Sequence, residues 1–121
     1  MIQLRKLIWI GTSREDLKLM PEEVQDEIGY SLHEAQNGFF PDRAKILKGF
    51  SGVIEIISDF NKSTYRAVFA LKLDEDIYVL HAFQKKSKIG IKTPKKEIEL
   101  VRQRLQTAQK IAKGKRNEQT S

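Results

Sequence analysis

Apolar residues recur along this chain with two periods, one helical and one of two residues, and the changeovers mark out the elements. Near the start, Ile2, Leu4, Ile8, Trp9 and Ile10 have the bulky, branched character of a first strand. Ser13 followed by Asp16 has the form of a capping box and predicts a short helix over 13–18. Val24, Ile28, Leu32 and Ala35 then recur at spacings of four, four and three, one stripe of a longer helix. Pro21 suits its first position, Glu22, Glu23 and Asp26 favour its dipole, and Gly38 and Pro41 stop it. Residues 38–52 read as a connection. From Val53 the period shortens. Val53–Ile57 is almost wholly apolar, and Thr64–Lys72 alternates, with Tyr65, Ala67, Phe69 and Leu71 opposite Arg66, Val68 and Ala70. Ile77–Phe83 is the next strand, and the polar clusters at 59–62 and 74–76 are of hairpin length. The helical period returns after Thr93-Pro94, with Ile98, Val101, Leu105, Ala108 and Ile111 or Ala112 on one stripe.

The implied order is strand, helices, three strands, helix, an α+β domain. Short loops favour an antiparallel meander, with helices on one face of a small sheet and part of the other face open. One domain is expected over residues 1–112, followed by a polar tail, 113–121, without fixed structure.

Composition narrows the chemistry more than the fold. There is no cysteine, which removes disulfides and thiolate metal sites, and two histidines are a poor basis for a metal centre. No phosphate-binding glycine loop, HExxH or nucleophile elbow is present, so no cofactor is expected. The run Leu7-Ile8-Trp9-Ile10 is too short for a secretory core and no stretch approaches a membrane span, so a cytoplasmic protein is expected. Net charge is +6, unevenly spread: residues 1–40 carry four basic and seven acidic side chains, residues 41–121 eighteen and nine. Such asymmetry reads as a polyanion-facing half on a more neutral scaffold.

Four features are able to carry chemistry. Lys85, Lys86, Lys88, Lys92, Lys95 and Lys96 cluster with no acidic residue among them. Such a cluster is either a solvated loop or a phosphate contact rewarded by counterion release. Positive charge in the first turn of a helix opposes the dipole, which weighs against solubility alone. Arg66, in mid-strand, either pairs with Glu55 on the neighbouring strand or clamps a phosphate bidentately. His81 would share a face with Ile77, Val79 and Phe83; it is either a core histidine or a general acid or base. Tyr65 and Tyr78 either pack or stack on bases. His33 reads as surface.

Three segments together resemble the RelE/ParE toxin superfamily: Leu47–Ile56, Tyr65–Phe69, and Ile77–Ser87 followed by Thr93-Pro94-Lys95-Lys96-Glu97-Ile98. The last of them is similar to the HigB-like, phage-derived branch. The resemblance implies a RelE-like α+β fold and a toxin of a type II toxin–antitoxin pair. It implies metal-independent cleavage of mRNA on the ribosome and neutralisation by a helix-turn-helix antitoxin. It assigns RNA-binding and catalytic roles to Arg66, Lys85 and Lys86. The reading of the residues themselves adds His81 as a further catalytic candidate and Lys88, Lys92, Lys95 and Tyr65 as RNA-binding candidates. Several relatives place a tyrosine or histidine near the C-terminus, and this chain has neither after Lys110. The superfamily also includes gyrase poisons, and a non-catalytic nucleic-acid-binding module is a further alternative. If the lysines meet phosphate, replacing Lys85, Lys86 and Lys88 by glutamine lowers the log–log salt slope of RNA binding by roughly 0.7–0.9 for each phosphate no longer neutralised. An unchanged slope in a salt titration returns the cluster to solvent.

Overall fold

The computed structural model describes residues 4–85 and 93–120, apart from the side chains of 119 and 120. The elements are β1 (Leu7–Trp9), α1 (Ser13–Lys18), α2 (Glu22–Gln36), β2 (Ala44–Ile46), β3 (Val53–Phe60), β4 (Ser63–Ala70), β5 (Ile77–Lys85) and α3 (Lys95–Thr120). They form an α+β fold around one five-stranded sheet in the order β1-β5-β4-β3-β2. The expected meander is there: β3, β4 and β5 pair antiparallel in sequence. Asn61 and Lys62, both at positive φ, make the tight turn that returns β3 into β4. No helix among the described residues is long and apolar enough to cross a membrane.

In four respects the molecule departs from the sequence expectation. The connection 38–52 contains a short strand, β2, antiparallel to β3. At the opposite edge β1 pairs parallel to β5, which makes the sheet mixed. Both short strands lack enough alternation to reveal a partner. The helices also take both faces. Leu17, Val24, Ile28, Leu32 and Ala35 of α1 and α2 pack with Ile54, Ile56, Ala67, Phe69, Ile77 and Val79. Val101, Ala108 and Ala112 of α3 pack with Val53, Val68, Ala70, Tyr78 and Leu80 on the other side. The reason is that β3, β4 and β5 are apolar on both faces, and each face demands a cover.

The fourth departure is the tail. Instead of ending near Ala112, α3 continues to Thr120. Its last turns hold no apolar side chain, but Lys115 Nζ lies 2.5 Å from Asp76 Oδ2 and 3.5 Å from Asp74 Oδ2. The ammonium also sits 5.3 Å from the centre of the buried Tyr78 ring, whose hydroxyl donates to Asp74. Ionic and cation–π contacts thus replace the missing stripe.

A β-bulge sets the relation between β5 and α3. Val68 faces His81 but Phe69 faces Val79, leaving Leu80 as the extra residue. Beyond the bulge the faces exchange, so His81 and Phe83 join Tyr78 and Leu80 on the α3 side. Ile77, Val79 and Ala82 remain on the other. His81 therefore does not share the face of Ile77 and Val79. Its ring stacks on Phe83 with centroids 4.8 Å apart and contacts Glu97 through Nε2. Arg104 Nη1 reaches His81 Nδ1 at 3.2 Å and the Leu80 carbonyl at 3.0 Å, while Nη2 donates to Thr12 Oγ1 at 3.0 Å. Gly11 makes room for this guanidinium: a Cβ there would lie 2.7 Å from Arg104 Nε, and its φ of +57° also favours glycine.

His81 is 5% exposed. Burial pushes its imidazole below the ordinary value; Glu97 pulls upward, and Arg104 adds to the downward shift. The folded state thus prefers the neutral ring, and the unfolded chain binds the extra proton. The stability that follows is complete above the unfolded value of about 6.5 and is lost as pH falls toward the lower folded value. Thermal melts across this range should show that decline in the wild type and a shallower one in His81→Gln.

Candidate nucleic-acid interface

Two side chains on adjacent strands define the centre of the α3 side near the end of β5. Antiparallel pairing sets Ile57 opposite Arg66 and Val68 opposite Glu55, so Glu55 and Arg66 are diagonal neighbours on one face. Arg66 Nη1 donates to Glu55 Oε1 at 2.8 Å, with the two side chains 4% and 0% exposed. Thr93, just before α3, donates its hydroxyl to Glu55 Oε2 at 2.8 Å and accepts from Arg66 Nη1 at 3.3 Å. Lys45 of β2 brings its ammonium to 3.8 Å from Glu55 Oε1. Lys85, at the end of β5, is held below the usual lysine value by partial desolvation, then by Arg66 and Lys45, against the pull of Glu55. Two cations thus meet one carboxylate, Lys85 stands diagonal to Arg66 on the neighbouring strand, and the cluster keeps a positive excess.

Of the two readings open for Arg66, pairing with Glu55 is the one the geometry displays. The other sequence candidates fall in different places. Lys86, Lys88 and Lys92 lie outside the described residues. Lys95 is exposed in the first turn of α3, two residues beyond Thr93. Tyr65 packs against the α1/α2 core, on the opposite side of the sheet from Arg66, so the two do not share a surface. Tyr78 is fully buried. The ring of His81 is enclosed by Glu97, Arg104 and Phe83 and does not join the cationic cluster. His33 is exposed, as its sequence context implies. Sequence reasoning missed Lys45 and Thr93. Lys45 sits on the strand hidden in the connection; Thr93 was visible only as a helix start.

Residues 15–106 match the family model described as phage derived protein Gp49-like (DUF891). The chain belongs to the Gp49-like phage-derived family. That family lies within the RelE/ParE-like toxin superfamily. No curated protein and no solved structure gives a significant match. The matched span of this Gp49-like chain includes Lys45, Glu55, Arg66, His81, Lys85 and Thr93.

Chemically, the Gp49-like cluster is suited to anions. Buried Glu55 neutralises one positive charge and fixes the positions of several, leaving Lys45 and Lys85 as the more accessible cations. Among the described residues no three His, Asp or Glu side chains come together as metal ligands. Arg66→Ala should leave Glu55 without its closest buried partner and cost about 3–5 kcal/mol. Adding Glu55→Gln should recover part of that loss. Urea denaturation of the wild type, the single variants and the double variant checks it; additive losses would mean that the pair is not coupled.

Proposed function

We propose that this Gp49-like protein is the toxin of a type II toxin–antitoxin pair, of the HigB-like branch, and that it cuts mRNA presented by the ribosome. The observation that carries this reading is the meeting of Lys45 and Arg66 on buried Glu55, with Lys85 diagonal to Arg66 on the next strand, in a chain of the toxin superfamily. Its substrate phosphate sits against Lys45 and Lys85. The ribose 2′-oxygen passes its proton to solvent water and attacks the adjacent phosphorus. The bond to the 5′-oxygen breaks, leaving a 2′,3′-cyclic phosphate and a free 5′-hydroxyl.

Charge on the non-bridging oxygens is met by the lysines, which need no reorganisation at the moment of reaction. In this reading Lys85, a diagonal neighbour of Arg66 in the β4–β5 register, gives a proton to the leaving 5′-oxygen. Arg66 acts as a positioning residue: it holds Glu55 and shapes the field at Lys85. His81 keeps α3 in register with β5. No metal takes part in this scheme. A helix-turn-helix antitoxin encoded beside the chain is its expected inhibitor.

Induced alone, the protein should arrest growth, and primer extension should reveal new 5′ ends within translated mRNA. Lys85→Gln should reduce cutting roughly 10²- to 10³-fold while leaving the melting temperature nearly unchanged. Intact mRNA together with linearised plasmid would instead identify a gyrase poison. Normal growth at high levels of folded protein would end the toxin reading.

A further inference from the structure

The sheet separates two helices of opposite charge. On one face α2 carries five acidic side chains and no lysine or arginine. On the other, α3 carries eight basic and three acidic ones. The charge on α3 is not confined to the end beside Lys85. Lys96, Gln103 and Lys110 recur at intervals of seven and are all exposed. They form a ridge opposite the buried stripe of Val101, Ala108 and Ala112. Gln106 and Lys113, also exposed, run alongside it. Of the acidic residues, Glu97 is engaged by His81 and Glu99 lies 3.8 Å from Arg102.

We infer that the outer ridge of α3 is a second RNA-binding surface, one that docks along the phosphate backbone of an RNA duplex. It rests on the reading above that RNA is the substrate, and adds an anchoring point remote from the reacting phosphate. Three features select the duplex backbone. Lysines and amides are among the side chains that contact phosphate and sugar, and the major groove of an A-form duplex is too narrow for side chains to read its base edges. α3 contains no aromatic residue, so it offers no platform on which single-stranded bases stack. Its 26 residues form a helix about 39 Å long, and from Lys96 to Lys110 the ridge spans roughly 21 Å. A continuous helical ridge of this length suits a shape-recognised duplex better than a flexible strand. The acidic α2 lies across the sheet and is repelled by the same polyanion, which fixes the orientation of approach.

The test uses the full-length protein and an RNA duplex of about 16 base pairs, titrated with salt. Lys110→Gln/Lys113→Gln removes two phosphate-binding charges far from Lys85, and the slope should fall by about 1.4–1.8. Arg14→Gln/Lys18→Gln removes the same two charges from α1, on the other face, and should leave the slope as in the wild type. Glutamine is a good helix former, and circular dichroism verifies that both variants fold. Equal slopes for wild type and the α3 variant overturn the inference. So does an equal fall in the α1 variant, which would report net charge alone. Binding of polyglutamate by α3 with no binding of the duplex overturns it too, and points to an acidic protein partner. Duplex binding through α3 in a protein that leaves mRNA intact sinks the ribonuclease reading and keeps this one. Cleavage with unaltered slopes does the reverse.

Discussion

A carboxylate withdrawn from water must be answered by hydrogen bonds and positive charge, or its desolvation cost of several kcal/mol goes unmet. Glu55, fully buried in β3, imposes that demand on three other elements. β4 answers with Arg66, the residue before α3 with Thr93, and the edge strand β2 with Lys45. Each oxygen of the carboxylate has a donor within 2.8 Å. The arrangement positions the start of α3, gives β2 a reason to stay on the edge, and gathers cations that would otherwise repel one another. At the far end Lys115 makes the reciprocal connection, one ammonium answering Asp74 and Asp76. Between the two ends α3 buries Val101, Ala108 and Ala112, mostly small side chains, so polar contacts specify a docking that apolar area alone leaves loose.

Much of the fold was readable from period alone. The stripe Val24, Ile28, Leu32, Ala35 predicts α2 and is buried as expected. The three central strands fall where alternation and polar turns place them, each a few residues longer or shifted at its ends. What periodicity could not supply is pairing across distance. β1 and β2 are three residues each, too short to show a face, and nothing local says that the first strand lies beside the last. The two-sided apolar character of Ile77-Tyr78-Val79-Leu80 was in plain view, and it already demanded helices on both faces. The bulge at Leu80 was not visible, because a single inserted residue leaves the composition of a strand unchanged while reversing the face of all that follows.

The candidate site was legible in type more than in arrangement. Arg66 and Glu55 could be named because they are charges at strand positions, and Lys85 because it opens a run of lysines with no acidic residue among them. Their grouping depends on register, and the places of Tyr65 and His81 depend on which side of the pleat each falls. Alternation separates Tyr65 from Arg66 by one residue in sequence and by the whole sheet in space. The bulge carries His81 toward Arg104 and Glu97 and so makes it a fastener of α3.

The parallel pairing of β1 with β5 has a consequence in time. A chain made from its N-terminus presents Leu7 first, and its partner Ile77 only 70 residues later. At common rates of synthesis that interval is roughly 4 to 14 s. Until then the first strand has no neighbour, α1 lacks the carbonyl of Val79 that Ser13 binds, and the meander lacks its third strand, which joins β1 to the rest of the sheet. Sheet closure is therefore a late, non-local event, slower than the local formation of α2 or of the β3–β4 hairpin. Assembly of the cationic cluster comes later still, because Thr93 follows β5 in the chain. Order of synthesis alone keeps the cluster incomplete until most of the chain has been made.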